Sequence, residues 1–226
     1  MAWRISLTGV AAAALAAALL LALRFSPPDV NLGDTVRIMY VHMPMAWLAL
    51  GGYTLLAAFS ALYLVRREEK WDTWALAAAE VGALLCTLAL VTGSIWAKPA
   101  FGVWWTWSPR LTTTLILWLF YVGYLLLRAY APGVAGPRYA AVLGLVGFAD
   151  VPIVFLAVRL WRDIHPEPIV ARLQPTLDPS MRLALYTSLL AFALLSLLLL
   201  LLRVALRQME LRAERLRAEY EEVEGA

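Results

Sequence analysis

The chain has 226 residues, 62% of them hydrophobic and only 15% charged, with a mean hydropathy of +0.73. An ordinary soluble domain carries about 25% charged residues, so soluble globular, disordered and disulfide-scaffold classes are excluded and an all-α polytopic membrane protein remains. The net charge of +3 comes from basic residues at the ends of apolar runs, where membrane-flanking Lys and Arg belong, and this argues against a nucleic-acid partner.

About 20 apolar residues cross a bilayer core. On that measure the chain predicts six transmembrane helices, over 5–23, 44–65, 76–96, 111–127, 139–161 and 181–202. The first follows Arg4 in the manner of a signal peptide. Its apolar run exceeds the usual ~7–15 residues and lacks a small-x-small site before Arg24, so it reads as a helix. No internal repeat is visible. Residues 1–202 form the membrane domain and 203–226 a charged tail.

Orientation rests on charge. With both termini cytoplasmic, that side holds eleven of the 19 basic residues, the tail arginines Arg203, Arg207, Arg212, Arg215 and Arg217 among them. Counting crossings gives a result independent of charge. The segments between spans 1 and 2, 3 and 4, and 5 and 6 share one side, and they carry both histidines, His42 and His165, and the densest tryptophan cluster.

His42 is predicted just ahead of span 2, in Arg37-Ile38-Met39-Tyr40-Val41-His42-Met43-Pro44. Span 3 holds the only cysteine, Cys86, which reads as a small buried hydrophobe. With no Cys-x-x-Cys and no Cys-x-x-Cys-His, the chain is neither a thiol oxidoreductase nor a c-type cytochrome.

Between spans 3 and 4, four of the ten tryptophans fall within twelve positions: Trp96, Trp104, Trp105 and Trp107. An interfacial aromatic belt usually places one or two per helix end. Here Trp104, Trp105 and Trp107 stand beside Gly102 in a predicted loop between Pro99 and Pro109, with Trp96 and Phe101 as neighbours, as a semi-rigid shelf suited to a large flat apolar ligand. Ser108-Pro109 has the form of a helix cap followed by the first helical residue. Arg110 then falls in a first turn, where the helix dipole disfavours a cation, so an anionic partner is expected: a lipid phosphate or a ligand carboxylate.

Span 5 carries Asp150 two residues before Pro152, and settling a proline-broken turn is its favoured role. The following loop holds His165 among Pro166, Pro168, Pro175 and Pro179 and is expected to fold over the tryptophan shelf. Asp178-Pro179 repeats the cap grammar and starts span 6. Beyond Leu202, apolar residues at Leu206, Met209, Ala213, Leu216, Tyr220 and Val223 trace an a/d stripe, expected to continue span 6 as an amphipathic helix.

Neutral imidazole is a common metal ligand, and haem accepts two from opposite faces of one plane. Zinc would want about four N/S ligands, and no cysteine lies near. Haem therefore stands ahead of zinc and of two unrelated interfacial histidines. In that reading Trp104, Trp105 and Trp107 line the macrocycle with Trp96 and Phe101 beside them, and Arg110, Lys98 and Arg37 meet the propionates.

Trp96-Ala97-Lys98-Pro99, Gly102-Val103-Trp104-Trp105-Thr106-Trp107, Arg110-Leu111-Thr112, the Arg37–His42 run and Asp178-Pro179-Ser180-Met181 resemble the tryptophan-rich "WWD" haem-handling family of cytochrome c maturation, most closely its protein C branch, over residues 31–202. The resemblance implies six spans in the bacterial inner membrane. It also implies haem b (iron protoporphyrin IX) held transiently at the periplasmic face between axial ligands mapping to His42 and His165, with the tryptophan segment (96–112) as platform. It implies as partners a periplasmic haem chaperone (protein E type), a small single-span subunit (protein D type) and ATP-binding-cassette subunits (protein A and B type). The activity would be transfer, with a haem-lyase-like role in loading the chaperone, rather than classical enzymology. Two positions depart from the pattern: Ser108 stands where the family has Asp, and Phe101 where Trp is common. Other readings are a b-type haem electron-transfer subunit and a haem-free permease or structural subunit.

Overall fold

In hydrocarbon every backbone N–H and C=O must be satisfied within the chain, which leaves helices as the element for apolar runs of this length. The computed structural model describes residues 2–131, 133, 135–161 and 177–224, and its long elements are all helical. They are α1 (Ala2–Leu20, continued by a π-turn over Leu21–Phe25), α2 (Met39–Arg66, entered through a 3-10 turn over Asp34–Ile38), α3 (Glu69–Phe101), α4 (Pro109–Tyr130), α5 (Ala135–Phe148), α6 (Asp150–Trp161) and α7 (Pro179–Glu224). Six spans are long and apolar enough to cross a membrane, α5 and the start of α6 together making the fifth.

The bundle is built on close backbone approach, the usual device where lipid removes the hydrophobic drive between helices. α2 packs along α3. A methyl on Gly52 would come 3.2 Å from Gly82 Cα, and one on Gly82 would overlap the Tyr121 ring. From α4, Tyr121 enters this crossing and donates its hydroxyl to the Ala49 carbonyl at 2.8 Å. Tyr53 and Tyr121 meet edge to face at 4.7 Å. α1 lies outside the core, along α7.

Two proline expectations need correction. Span 2 does not begin at Pro44: α2 starts at Met39, so Pro44 and His42 are both helical. Span 3 does not end at Trp96: α3 runs through Pro99 to Phe101 and stops at Gly102, whose φ of 79° is the left-handed cap conformation. Each proline removes only one helical hydrogen bond near a helix end. Losing one bond within a turn or two of the end leaves the rest of the helix intact, so the helix continues. The break expected near Pro152 is present, between α5 and α6 at Ala149.

α3 is about 50 Å long and α7 about 69 Å, against a hydrocarbon core of about 30 Å, so both project beyond the bilayer. Two ion pairs tie them together: Arg203 grips Glu80 with two bonds of 2.5 Å, and Arg215 meets Glu69.

Candidate functional site

At the end of the bundle where α2 starts and α3 stops, a cavity of about 260 Å³ opens between α2, α3, the Gly102–Ser108 connection and the first turns of α4. Its walls take His42, Met43, Ala46 and Trp47 from α2, and Trp96, Ala97, Ala100 and Phe101 from α3. Val103, Trp105 and Thr106 come from the connection, Arg110 from α4, and Leu32 from the segment before α2. Three stretches far apart in sequence meet here because α2, α3 and α4 are successive antiparallel spans.

His42 is held from behind. Its Nδ1 lies 3.1 Å from the Ala89 carbonyl and 3.2 Å from Thr92 Oγ1. The carbonyl can only accept and the Thr92 hydroxyl donates to Leu88 O at 2.6 Å, so Nδ1 carries the proton and Nε2 keeps its lone pair. A metal-binding histidine is typically oriented this way, with the second ring nitrogen donating to a carbonyl. Gly93 makes room for the ring: a methyl there would sit 2.8 Å from His42 Cε1. One turn further along α3, Trp96 meets the imidazole with ring centres 5.8 Å apart at 58°.

The cavity is apolar with a few directional groups. The indole N–H groups of Trp96 and Trp105 are buried with no acceptor among the described residues, and both side chains line the wall. A buried indole ordinarily finds an acceptor, and these two are left without one in the cavity wall. Arg110 stands within electrostatic reach of His42, which brings a permanent cation to the same cavity wall as the imidazole.

The other expected residues that the structure describes lie elsewhere. Trp104 and Trp107 are on the connection, 58% and 75% exposed, and neither lines the cavity, although Trp107 packs edge to face on Trp105 at 5.8 Å. Lys98 turns back to donate to the Gly102 carbonyl at 2.8 Å. Arg37 is taken by Asp34, at 2.9 Å, and by the Ala22 carbonyl. His165 lies outside the described residues. The Ser108-Pro109 cap is half as expected: α4 starts at Pro109, but the Ser108 hydroxyl makes no capping bond. At α7 the same grammar works fully, with Asp178 accepting from the Ser180 N–H at 2.8 Å and from its hydroxyl at 2.5 Å.

Residue-by-residue reading found Trp96 and Phe101 on the α3 wall but missed Ala89, Gly93 and Ala97. These three recur every four residues and continue to Phe101, which places them on one helical face. That spacing, with Thr92-Gly93-Ser94 interrupting an apolar span, was the available signal.

The family profile described as Heme exporter protein C matches residues 1–219. The chain belongs to the haem exporter protein C family. It is 40% identical over 171 residues to Heme exporter protein C of Bradyrhizobium diazoefficiens, covering 75% of this chain and 65% of that one. Against Heme exporter protein C of Escherichia coli K12 it is 36% identical over 171 residues, covering 75% and 69%. Against that of Haemophilus influenzae it is 35% identical over 169 residues, covering 74% and 68%. The chain thus matches about two thirds of the length of these haem exporter protein C relatives. As a family member with six apolar spans it is a multi-pass membrane protein.

Proposed function

We propose that this protein holds haem, as cargo, in the His42 cavity at the outer face of a bacterial inner membrane and passes it to a periplasmic haem chaperone during cytochrome c maturation. The observation carrying this reading is the back-bonded imidazole: Nδ1 is committed to Ala89, Nε2 is unprotonated, and an aromatic cavity surrounds the ring. The names of the relatives, Heme exporter protein C, point the same way.

In this reading His42 supplies one axial nitrogen and His165 the other. Trp96, Trp105 and Phe101 stack against the macrocycle, with Trp104 and Trp107 as an exposed rim. Arg110 and the two indole N–H groups meet the propionate end, which needs both charge and donors. Lys98 and Arg37 reach a propionate only by leaving their present acceptors. At about 260 Å³ the cavity is below the ~300–1,000 Å³ of sites that engulf a ligand. Such a site grips one edge of haem and leaves the other edge accessible, which suits a protein that must release what it binds. Both termini are then cytoplasmic, with the small single-span and ATP-binding-cassette subunits as complex partners.

The test is transfer. Haem-loaded protein mixed with its periplasmic chaperone should lose haem as a covalent chaperone–haem adduct accumulates. Haem that stays in place while cycling between oxidation states would instead identify an electron-transfer subunit, and a purified protein carrying no haem from haem-replete cells would favour a permease or structural role.

A further inference from the structure

α7 leaves the bundle at the end opposite the cavity, and beyond Arg203 it carries two different faces. Gln208, Leu211 and Arg215 line a cleft shared with Glu69, Lys70 and Thr73 of α3, and Arg215 is paired to Glu69 across it. Away from that cleft the helix presents Leu206, Met209, Ala213, Leu216, Tyr220 and Val223, every one of them exposed. Their 3-4-3-4-3 spacing makes one straight seam of the coiled-coil kind, about 26 Å long. A contiguous apolar surface rimmed by charge marks an interaction site.

Lipid cannot cover this seam. α7 is one uninterrupted helix from Pro179 to Glu224, so its end does not turn to lie on the membrane. Leu216, Tyr220 and Val223 are 54%, 72% and 76% exposed. They lie about 20, 26 and 30 Å along the axis beyond Arg203, where the apolar run ends. The headgroup layer is only about 5–7 Å deep.

A second copy of the chain fits no better. Copies inserted in one membrane share an orientation, so two α7 extensions would pair in parallel. The residues flanking the seam are Arg212 and Arg217 nearer the membrane, then Glu219 and Glu224 further out. In a parallel pair Arg212 of one copy would face Arg217 of the other, and Glu219 would face Glu224, each contact occurring twice by symmetry. Glu210, the remaining flanking charge, is taken by Arg207 at 3.1 Å. No ion pair among the described residues uses Arg212, Arg217, Glu219 or Glu224. Like charges set against each other are how a seam rejects a wrong occupant, and the same charges select the right one.

We propose that the α7 seam docks a helix of a different protein on the side of the membrane away from the His42 cavity. That helix carries its own apolar seam, with acidic residues level with Arg212 and Arg217 and basic residues level with Glu219 and Glu224. The ion pairs to α3 hold α7 from behind, so the seam is presented on a rigid mount and loses little freedom on docking.

Site-specific photo-cross-linking of the full chain in its source cells tests this. With p-benzoylphenylalanine at Leu216 or at Tyr220, irradiation should join the chain to another protein. Mass spectrometry should place the junction in a segment with apolar residues at 3-4 spacing, flanked by Asp or Glu at one end and Lys or Arg at the other. The same probe at Ala218, exposed on the opposite face, should give several-fold less adduct. Arg212→Glu combined with Arg217→Glu should lower the Tyr220 adduct several-fold. The proposal is overturned by an adduct of the chain with itself, by a joined segment lacking that charge order, or by an adduct undiminished in the charge variant. Yields at Leu216 and Tyr220 no higher than at Ala218 would overturn it as well.

Discussion

A methyl group on Gly93 would press on the His42 ring, and the ring cannot retreat without leaving the Ala89 carbonyl. Gly93→Ala should therefore leave a folded protein, destabilised by about 1–3 kcal/mol through overpacking, with haem affinity lowered on the order of 10-fold, as when a ligand's backing contact is lost. Haem titration checks it, and unchanged affinity would show that the ring's present position is not the binding one. Tyr121→Phe removes a different buried contact, the bond to Ala49, and should cost about 1 kcal/mol in a denaturant unfolding series with haem binding unaltered. Of the site residues, His42, Trp96, Phe101, Trp105 and Arg110 could be read from the sequence and do line one cavity. Gly93 and Ala89 could not be read singly, because their part is to supply space and a carbonyl, which no side-chain chemistry announces.

Among the elements, the start of α7 depends on Asp178. Hydrogen bonds from the Ser180 hydroxyl and N–H hold its carboxyl below the usual carboxylate range. A lowered value means the cap's contribution is present above the ordinary carboxylate pKa and is lost as pH falls through the lowered one. Thermal unfolding of Asp178→Ala should thus show a Tm below that of the unmodified protein at neutral pH, the gap closing on acidification. A gap that persists in acid would mean the side chain acts by something other than its charge. The number and order of spans were legible because apolar length alone decides them in a bilayer. Helix ends were less so. Pro44 and Pro99 read as boundaries, yet both lie inside helices, since a helix tolerates one missing bond near its end. Pro152, deep in a span, does accompany a break.

For the molecule as a whole, the two ends of the bundle differ in chemistry: an aromatic, histidine-bearing cavity at one, and the paired charges of α3 and α7 at the other. Sidedness can be read by thiol labelling. The only native thiol, Cys86, is 0% exposed and should give no background. Single cysteines replacing Val30 and Trp104 should react with an impermeant reagent from the outer side, and those replacing Val65 and Tyr130 only from the inner side. The reverse pattern would invert the proposed orientation. The central claim, that the His42 cavity is where haem is held, is tested most directly by the visible absorption spectrum of the purified protein and its His42→Ala variant. The unmodified protein should show a low-spin, bis-imidazole haem spectrum and the variant should lose it, whereas an unchanged spectrum in the variant would contradict the assignment.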